Sequence, residues 1–415
     1  MVFYRLLLGL LSPLLLVVLI RESRRRQGGG RFFRERFGLI SAAPKPCSVW
    51  IHAASVGEVM AALPLLEAAS ASHGMLVTTN TPEAARLLAS EFGSRISHCY
   101  CPLDFAWAIR RLINRYQPRQ LFVMETELWP NLFHVAATRG LAPIIVNGRL
   151  SASTLEAPKP VRVLYRSVLR HVAAVWARSD ADARGFQGLG CDAAKIAVLG
   201  NIKYGRAVTA AAPTRPAELV GRSYVLAAST HEGEEEQLAD IWRGLDAPPL
   251  LVLLPRHPSR GSAIVTSLRG SGFAVSQRSC GDAITHATQI YVADTIGELL
   301  QFAEGAQWVF MGGSLITGGG HNLLEPAALG KAVVTGQHLS NFREEADFLS
   351  GHSALLTVKD ADELRHLAER LLANPDEVAD LGHRARGAMS ETGDVTERYL
   401  SLFRVRLEQL AEASP

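Results

Sequence analysis

The run Gly318-Gly319-Gly320-His321-Asn322-Leu323-Leu324-Glu325-Pro326 sets a glycine loop before a helix start that carries an early carboxylate. Glycine lets backbone approach a ligand closely. The unpaired N–H groups and positive dipole end of a helix start suit a phosphate. Glu325, one turn in, can accept two hydrogen bonds from a ribose diol. Gln307 to Met311 reads as a strand that feeds the loop through Gly312-Gly313-Ser314. Strand, glycine loop and helix with an early Glu describe a site for a nucleotide sugar. A glycine-rich turn before a capped helix has the same composition, because a lone glycine motif is weak.

Other chemistry-bearing residues also fall just after apolar runs. Ser55 and Glu58 have the spacing of a capping box, and Glu58 beside Gly57 equally suits a general base. Glu125 and Glu127 leave an extended strand on opposite faces, so one can face a cleft while the other ties down a neighbouring loop. Lys203 can serve a phosphate or carboxylate as a point charge, or stand solvated. Ser229 and Glu232 repeat the capping-box spacing, Pro255 and Pro258 hold an exposed Arg256-His257 pair, and Thr295 is placed to cap a helix at Glu298.

These loops need elements to position them. Val49–Ala53, Met75–Thr79, Gln120–Met124, Ala142–Val146, Ala173–Ala177 and Ile196–Gly200 are short apolar runs separated by helical patterns. Ile96 to Cys101 alternates like a strand, and His98, Cys99 and Cys101 there have no second ligand pair at zinc spacing. A second series follows at Tyr224–Ala227, Leu250–Leu254, Gln289–Val292, Trp308–Met311 and Ala332–Thr335, and the chain is helical from Asp360. Such alternation means parallel sheets covered on both faces, whose ligands bind at the carboxyl ends of the strands. The roughly 370 residues involved suit two domains. The expected division is 47–205 and 223–415, joined by an Ala-, Pro- and Thr-rich linker at 206–222.

The first twenty residues are almost wholly apolar, and arginines follow at once. Residues 1–36 hold eight Arg, no Lys and two Glu, a net +6, against +3 for the whole chain. Basic character confined to one end argues against a nucleic-acid partner and for an anionic lipid surface. The charge follows the apolar run and no small-residue cleavage site succeeds it, unlike a signal peptide. Residues 1–22 therefore read as a membrane anchor and 23–46 as a basic juxtamembrane segment, with the rest of the chain on the cytoplasmic side. Leu6 to Ile20 spans about 22 Å as a helix, short of a roughly 30 Å hydrocarbon core. Crossing with Arg5 snorkelling and lying in one leaflet both stay open. Five cysteines at scattered spacing suit a reducing compartment.

Taken together, the chain resembles the Kdo transferases, inner-membrane glycosyltransferases that add 3-deoxy-manno-octulosonate to a lipid A precursor. The resemblance rests on His52-Ala53-Ala54-Ser55-Val56-Gly57-Glu58, Thr78-Thr79-Asn80-Thr81-Pro82, Glu125-Thr126-Glu127-Leu128-Trp129-Pro130-Asn131 and Asn147-Gly148-Arg149-Leu150-Ser151. It continues through Gly200-Asn201-Ile202-Lys203, Ser229-Thr230-His231-Glu232-Gly233-Glu234, Pro255-Arg256-His257-Pro258, Gly312-Gly313-Ser314 and Gly319-Gly320-His321-Asn322 to Glu325. It implies an α/β GT-B fold, two facing Rossmann-like domains with an N-terminal membrane-anchor helix, the acceptor on the first domain and CMP-Kdo on the second. It implies an inverting transfer at the bacterial inner membrane, with no cofactor and no metal. Glu58 resembles the proton acceptor, while Glu125 and Lys203 match positions that stabilise the transition state. Pro255, Arg256, Ile296, Gly297, Glu298, Asn322, Leu323, Leu324 and Glu325 match the CMP contacts. The segments Ile316-Thr317-Gly318 and Leu155 to Lys159 depart from the family pattern. A membrane-associated GT-B enzyme using a UDP sugar would share the fold and Glu325. A membrane-tethered nucleotide sensor would need the nucleotide loop but neither Glu58 nor Glu125.

Overall fold

The computed structural model describes residues 1–25, 29–40, 46–208, 213–392 and 394–412. The chain divides into two units, Met1–Lys203 with Asp394–Pro415, and Tyr204–Gly393. Each is built on a seven-stranded parallel sheet. In the first, β1 (Val49–His52), β2 (Met75–Thr79), β3 (Ser97–Tyr100), β4 (Gln120–Met124), β5 (Ile144–Gly148), β6 (Ala174–Ala177) and β7 (Ile196–Val198) lie in the order β3-β2-β1-β4-β5-β6-β7. In the second, β8 (Tyr224–Thr230), β9 (Leu250–Pro255), β10 (Val275–Gln277), β11 (Ile290–Val292), β12 (Trp308–Met311), β13 (Ala332–Gly336) and β14 (Leu355–Val358) lie in the order β10-β11-β9-β8-β12-β13-β14.

The central strands are buried, except at Gln120 where β4 begins, because each face carries its own helical layer. Period-two geometry sends Val49 and Ile51 to one face of the first sheet and Trp50 to the other. Val59 and Leu63 of the helix Val56–Ser70, which follows β1, pack on the Val49 face. Leu132 and Phe133 of the helix Pro130–Thr138, which follows β4, pack on the Trp50 face. Neighbouring strands β1 and β4 thus send their helices to opposite sides, which leaves a crevice at their carboxyl ends. The second sheet repeats this. Leu238 and Ile241 after β8 cover one face, and Leu324 and Ala327 after β12 cover the other.

The expected strands are present, with ends shifted by up to three residues. Two more, β10 and β14, form the edges of the second sheet. Both are short, and polar residues interrupt them (Ser276 and Gln277 in β10, Thr357 in β14), so they lack the apolar run of a central strand.

Three expected boundaries differ. The basic segment 23–46 contains a docked helix, Gly29–Glu35, although its residues 26–28 and 41–45 lie outside the described set. Buried Phe32 meets Tyr100 edge-on, and the Glu35 carboxylate accepts the Tyr100 N–H at 2.9 Å. In the linker 206–222, residues 209–212 lie outside the described set, and the part after them belongs to the second unit because Leu219 is buried in its core. The second domain does not run to residue 415. The last helix, Asp394–Glu412, packs on the first sheet through Tyr399 and Phe403. The Phe403 ring lies tilted against Phe122 at 4.9 Å, and the Tyr399 hydroxyl donates to the Gly200 carbonyl at 2.9 Å.

Phe403→Ala should therefore destabilise the first unit by about 3–5 kcal/mol, read by denaturant unfolding. An unchanged midpoint would mean that the last helix does not complete this core.

Candidate active site

Three carboxylates gather at the ends of β1 and β4. Ser55 caps the helix Val56–Ser70, and its hydroxyl accepts the Glu58 N–H at 3.3 Å. Glu58 reaches back, so that its carboxylate accepts the Ala54 N–H at 2.8 Å and the Ser55 hydroxyl at 3.0 Å. The capping box thus forms and also fixes the rotamer of Glu58. Glu58 is only 8% exposed. Burial, then repulsion from Glu125 and Glu127, raises its pKa to about 7 against the opposing effects of the Ala54 N–H and His52.

Glu125 sits in a left-handed conformation, φ 53°, which turns the chain sharply off β4. Its two oxygens meet Lys203 Nζ at 2.6 Å and Arg149 Nε at 2.9 Å. Glu127 goes elsewhere. It accepts from Trp129 Nε1 at 2.5 Å and Asn80 Nδ2 at 3.5 Å, and lies 3.6 Å from His52 Nε2. Burial opposes ionisation of both members of this last pair. Cys101 and Glu127 still raise the His52 pKa well above the imidazole range, and His52, Trp129 and Arg36 hold Glu127 below the usual carboxylate value. Glu127 is the carboxylate that ties down neighbouring loops, and the structure brings Glu58, Glu125 and Lys203 together.

Arg149 and His52 stand in the sequence within longer motifs, with no local spacing that pairs them with the acids. The available signal was position: Arg149 directly follows β5, at the same end of the sheet as Glu125. Asn147, at φ 53° and buried, accepts the Ile202 N–H at 3.2 Å and so links β5 to the Lys203 turn.

In the second unit the glycine loop after β12 is held by one buried carboxylate. Glu234 accepts N–H groups from His231 at 2.9 Å, Gly313 at 2.7 Å, Ser314 at 3.0 Å and Leu315 at 3.1 Å. Gly313, at φ 65°, allows His321 and His231 to close over the loop, where a Cβ would lie about 3.0 Å from the His321 ring. Their Nε2 atoms are 2.8 Å apart, so the two rings share one N–H. Burial, with His231, Arg256 and His257 nearby, lowers the His321 pKa to about 4.

Local expectations change here. Ser229 and Glu232 form no capping box. The helix starts at Glu234 with Gly233 as its N-cap, because Glu234 rather than Glu232 turns back to the loop. Thr295 is not the cap of the next helix. Its hydroxyl donates to the Glu298 carboxylate, which also receives Arg278, and the helix begins at Leu299. The glycine-loop helix begins at Leu324 and is five residues long. Asn322 organises it, since Oδ1 accepts the Leu324 N–H at 3.1 Å and Nδ2 donates to Glu325 at 3.0 Å.

The expected nucleotide residues fall at the carboxyl ends of three strands: Pro255 and Arg256 at the end of β9, Ile296, Gly297 and Glu298 after β11, and Asn322 to Glu325 after β12. Arg256 and Ile296 are exposed, and Glu298 lines an open depression with Arg278, Tyr291 and Ile296. Leu323 and Leu324 are buried, so they offer a ligand their backbone alone.

Residues 31–206 match the family described as 3-deoxy-D-manno-octulosonic-acid transferase (kdotransferase). The 3-deoxy-D-manno-octulosonic acid transferase of Haemophilus influenzae is 34% identical, over 98% of this chain and 99% of that protein. The chain belongs to the Kdo transferase family. The relative of the same name from Bordetella pertussis is 32% identical over 96% of this chain and 97% of its own. A solved UDP-GlcNAc 2-epimerase from Neisseria meningitidis, bound to UDP-GlcNAc, covers 86% of this chain and 99% of its own with a TM-score of 0.56. At 12% identity that likeness shows the fold, two Rossmann-like domains of the GT-B class. In this Kdo transferase family member the residues at the strand ends therefore sit on the expected scaffold.

The raised pKa of Glu58 carries a sign for stability. Between about pH 4.5 and 7 the folded chain keeps a proton that the unfolded chain has released. Rising pH then removes stability across that window, on the order of 3 kcal/mol over the full shift. Denaturant unfolding at pH 5 and pH 8 should show wild type losing ground to Glu58→Gln as pH rises. A pH-independent difference would mean that Glu58 ionises as freely folded as unfolded.

Proposed function

We propose that this chain transfers Kdo from CMP-Kdo to a lipid A precursor, with inversion, in lipopolysaccharide biosynthesis on the cytoplasmic side of the bacterial inner membrane. The observation that carries the reading is the contrast between two neighbouring acids. Glu58 is buried, has a pKa near 7 and pairs with no cation among its hydrogen bonds. Glu125 is held between Lys203 and Arg149. A carboxylate poised near neutrality can take a proton from an attacking hydroxyl. A carboxylate fixed by cations instead supplies a standing charge.

In the proposed reaction Glu58 accepts the proton of the acceptor hydroxyl. The hydroxyl oxygen bonds to the anomeric carbon of Kdo as the bond from that carbon to the CMP phosphate oxygen breaks. The bonding pair leaves with CMP, and a single displacement inverts the centre. Glu125 favours oxocarbenium character at the reacting carbon. Lys203 is the cation offered to the Kdo carboxylate or the leaving phosphate. The acceptor is assigned to the first unit, where Glu58 lies, and the donor to the second. There Arg256, Ile296 to Glu298 and Asn322 to Glu325 take CMP, with Glu325 aimed by Asn322 toward the ribose diol. The apolar Phe3–Ser23 segment and the arginines around it attach the enzyme to anionic lipids, where the lipid acceptor resides.

Turnover of CMP-Kdo and lipid A precursor, followed by mass spectrometry of the lipid, should rise with pH through about 7 as Glu58 loses its proton. Glu58→Gln should lower it roughly 100-fold or more with no fall in melting temperature. Transfer near the wild-type rate in that variant, or release of UDP from a UDP sugar in place of CMP, would overturn the assignment.

Glu325→Ala should weaken CMP binding by about 1.5–3 kcal/mol, through loss of charge-assisted hydrogen bonds, read by calorimetry. Unchanged affinity would move the nucleotide away from this helix.

A further inference from the structure

The apolar helix Val2–Arg25 touches the first unit at both of its ends. In its first turn the Tyr4 hydroxyl donates to Asp104 Oδ2 at 2.8 Å, and Arg5 Nε donates to Asn131 Oδ1 at 2.9 Å. Fifteen residues on, Leu19 is buried at 3% exposure against Phe32 and Tyr100. Those two contacts lie roughly 22 Å apart along the helix axis. Between them Leu8, Ser12 and Leu15 are partly covered, and with Tyr4 and Leu19 they recur every three or four residues. That is one stripe along the helix, kept on both sides of Pro13. From Phe3 to Ile20 the opposite side, including Phe3, Leu6, Leu10, Leu14, Val17 and Ile20, is exposed and apolar, and exposed Arg21 follows at its end.

A helix that crossed the bilayer would place Tyr4 on the far side, about a hydrocarbon thickness from the domain it bonds to. We infer that this helix does not cross. It lies in the plane of the membrane, in the leaflet on the side of the catalytic domain, with its covered stripe on the domain and its outer face among acyl chains.

Features beside the helix fit the same plane. Asp104 is followed by Phe105 and half-exposed Trp107, which stack on each other 5.8 Å apart, with Phe37 6.3 Å beyond Trp107. An exposed indole of this kind belongs at headgroup level. Arg34, Arg110 and Arg111 are exposed, and the Arg111 guanidinium lies 4.9 Å over the Trp107 ring, so basic side chains stand ready for anionic headgroups. The latch also has a consequence for the site. Asp104 accepts the Asn131 and Leu132 N–H groups at 2.9 and 2.8 Å, so it caps the helix that follows Glu125 to Trp129. The first turn of the anchor is thereby fastened to the end of that loop. A lipid-borne sugar would meet the loop at the membrane surface rather than after extraction from the bilayer.

The test uses the full-length protein in vesicles of phosphatidylethanolamine and phosphatidylglycerol. Exposed Cys280 is replaced by Cys280→Ser and the four buried cysteines are kept. Phe3→Cys, Leu10→Cys and Val17→Cys, all at exposed positions, each receive one nitroxide. Depth is read from collision with oxygen and with a water-soluble nickel complex. In-plane binding gives three depths that agree within about 5 Å, about half a helix diameter. A crossing helix would put position 10 deepest, with position 3 quenched by nickel only from the side opposite the domain, and would overturn the inference. Labels shielded from both reagents would mean that a second copy covers the face, which also overturns it. The inference rests on attachment through this segment. Failure to bind vesicles would sink that attachment as well, whereas a crossing profile sinks the in-plane placement alone.

Discussion

Two neighbouring parallel strands cannot both send their following helices to the same face at the centre of a doubly wound sheet. In each sheet here the reversal falls between the first strand of the unit and the strand that begins its other half, β1 with β4 and β8 with β12. The helices part, and the strand ends between them stay uncovered. Backbone N–H groups, helix starts and polar side chains accumulate there because nothing apolar covers them. The residues proposed for chemistry lie at those openings: the three acids in the first, the glycine loop and its histidines in the second.

Within the first opening the acids are separated by their partners rather than by their own nature. Glu58, Glu125 and Glu127 are all carboxylates in a confined space, and three like charges could not share it uncompensated. Glu125 takes two cations, and Glu127 takes His52, Trp129 and Asn80. Among the described residues Glu58 takes a backbone N–H and a hydroxyl, so burial and repulsion outweigh the Ala54 N–H and His52 and its pKa rises to about 7. One capping box thus both starts a helix and aims a titratable group.

The second opening shows the reverse use of a buried acid. Glu234 is fully buried and satisfied by four backbone N–H groups from two loops that are far apart in sequence. It holds the glycine loop in a shape that its own residues would not keep. The pairing of His231 with His321, 90 positions apart, follows from that. The Asn322–Glu325 contact keeps the short helix in order where a helix of five residues has little dipole to offer.

The central strands and the loops that follow them were legible along the chain. Apolar runs long enough to be covered on both faces marked the central strands, and polar residues directly after them marked the openings. The Ser55-to-Glu58 spacing announced its own helix start, because a capping box is local. What local spacing missed had non-local causes. The edge strands β10 and β14 lack an apolar run because only one neighbour supports them. Ser229 with Glu232 has the right spacing but forms no box, because Glu234 answers to a loop some eighty residues away. The last helix, in line with the second unit along the chain, returns to the first because Tyr399 and Phe403 find their cover on Trp176 and Phe122. Which acid stays paired and which stays poised was also decided only in three dimensions. Arg149 and Lys203 meet Glu125 from different strand ends, and charge compensation depends on distance in space rather than on distance along the chain.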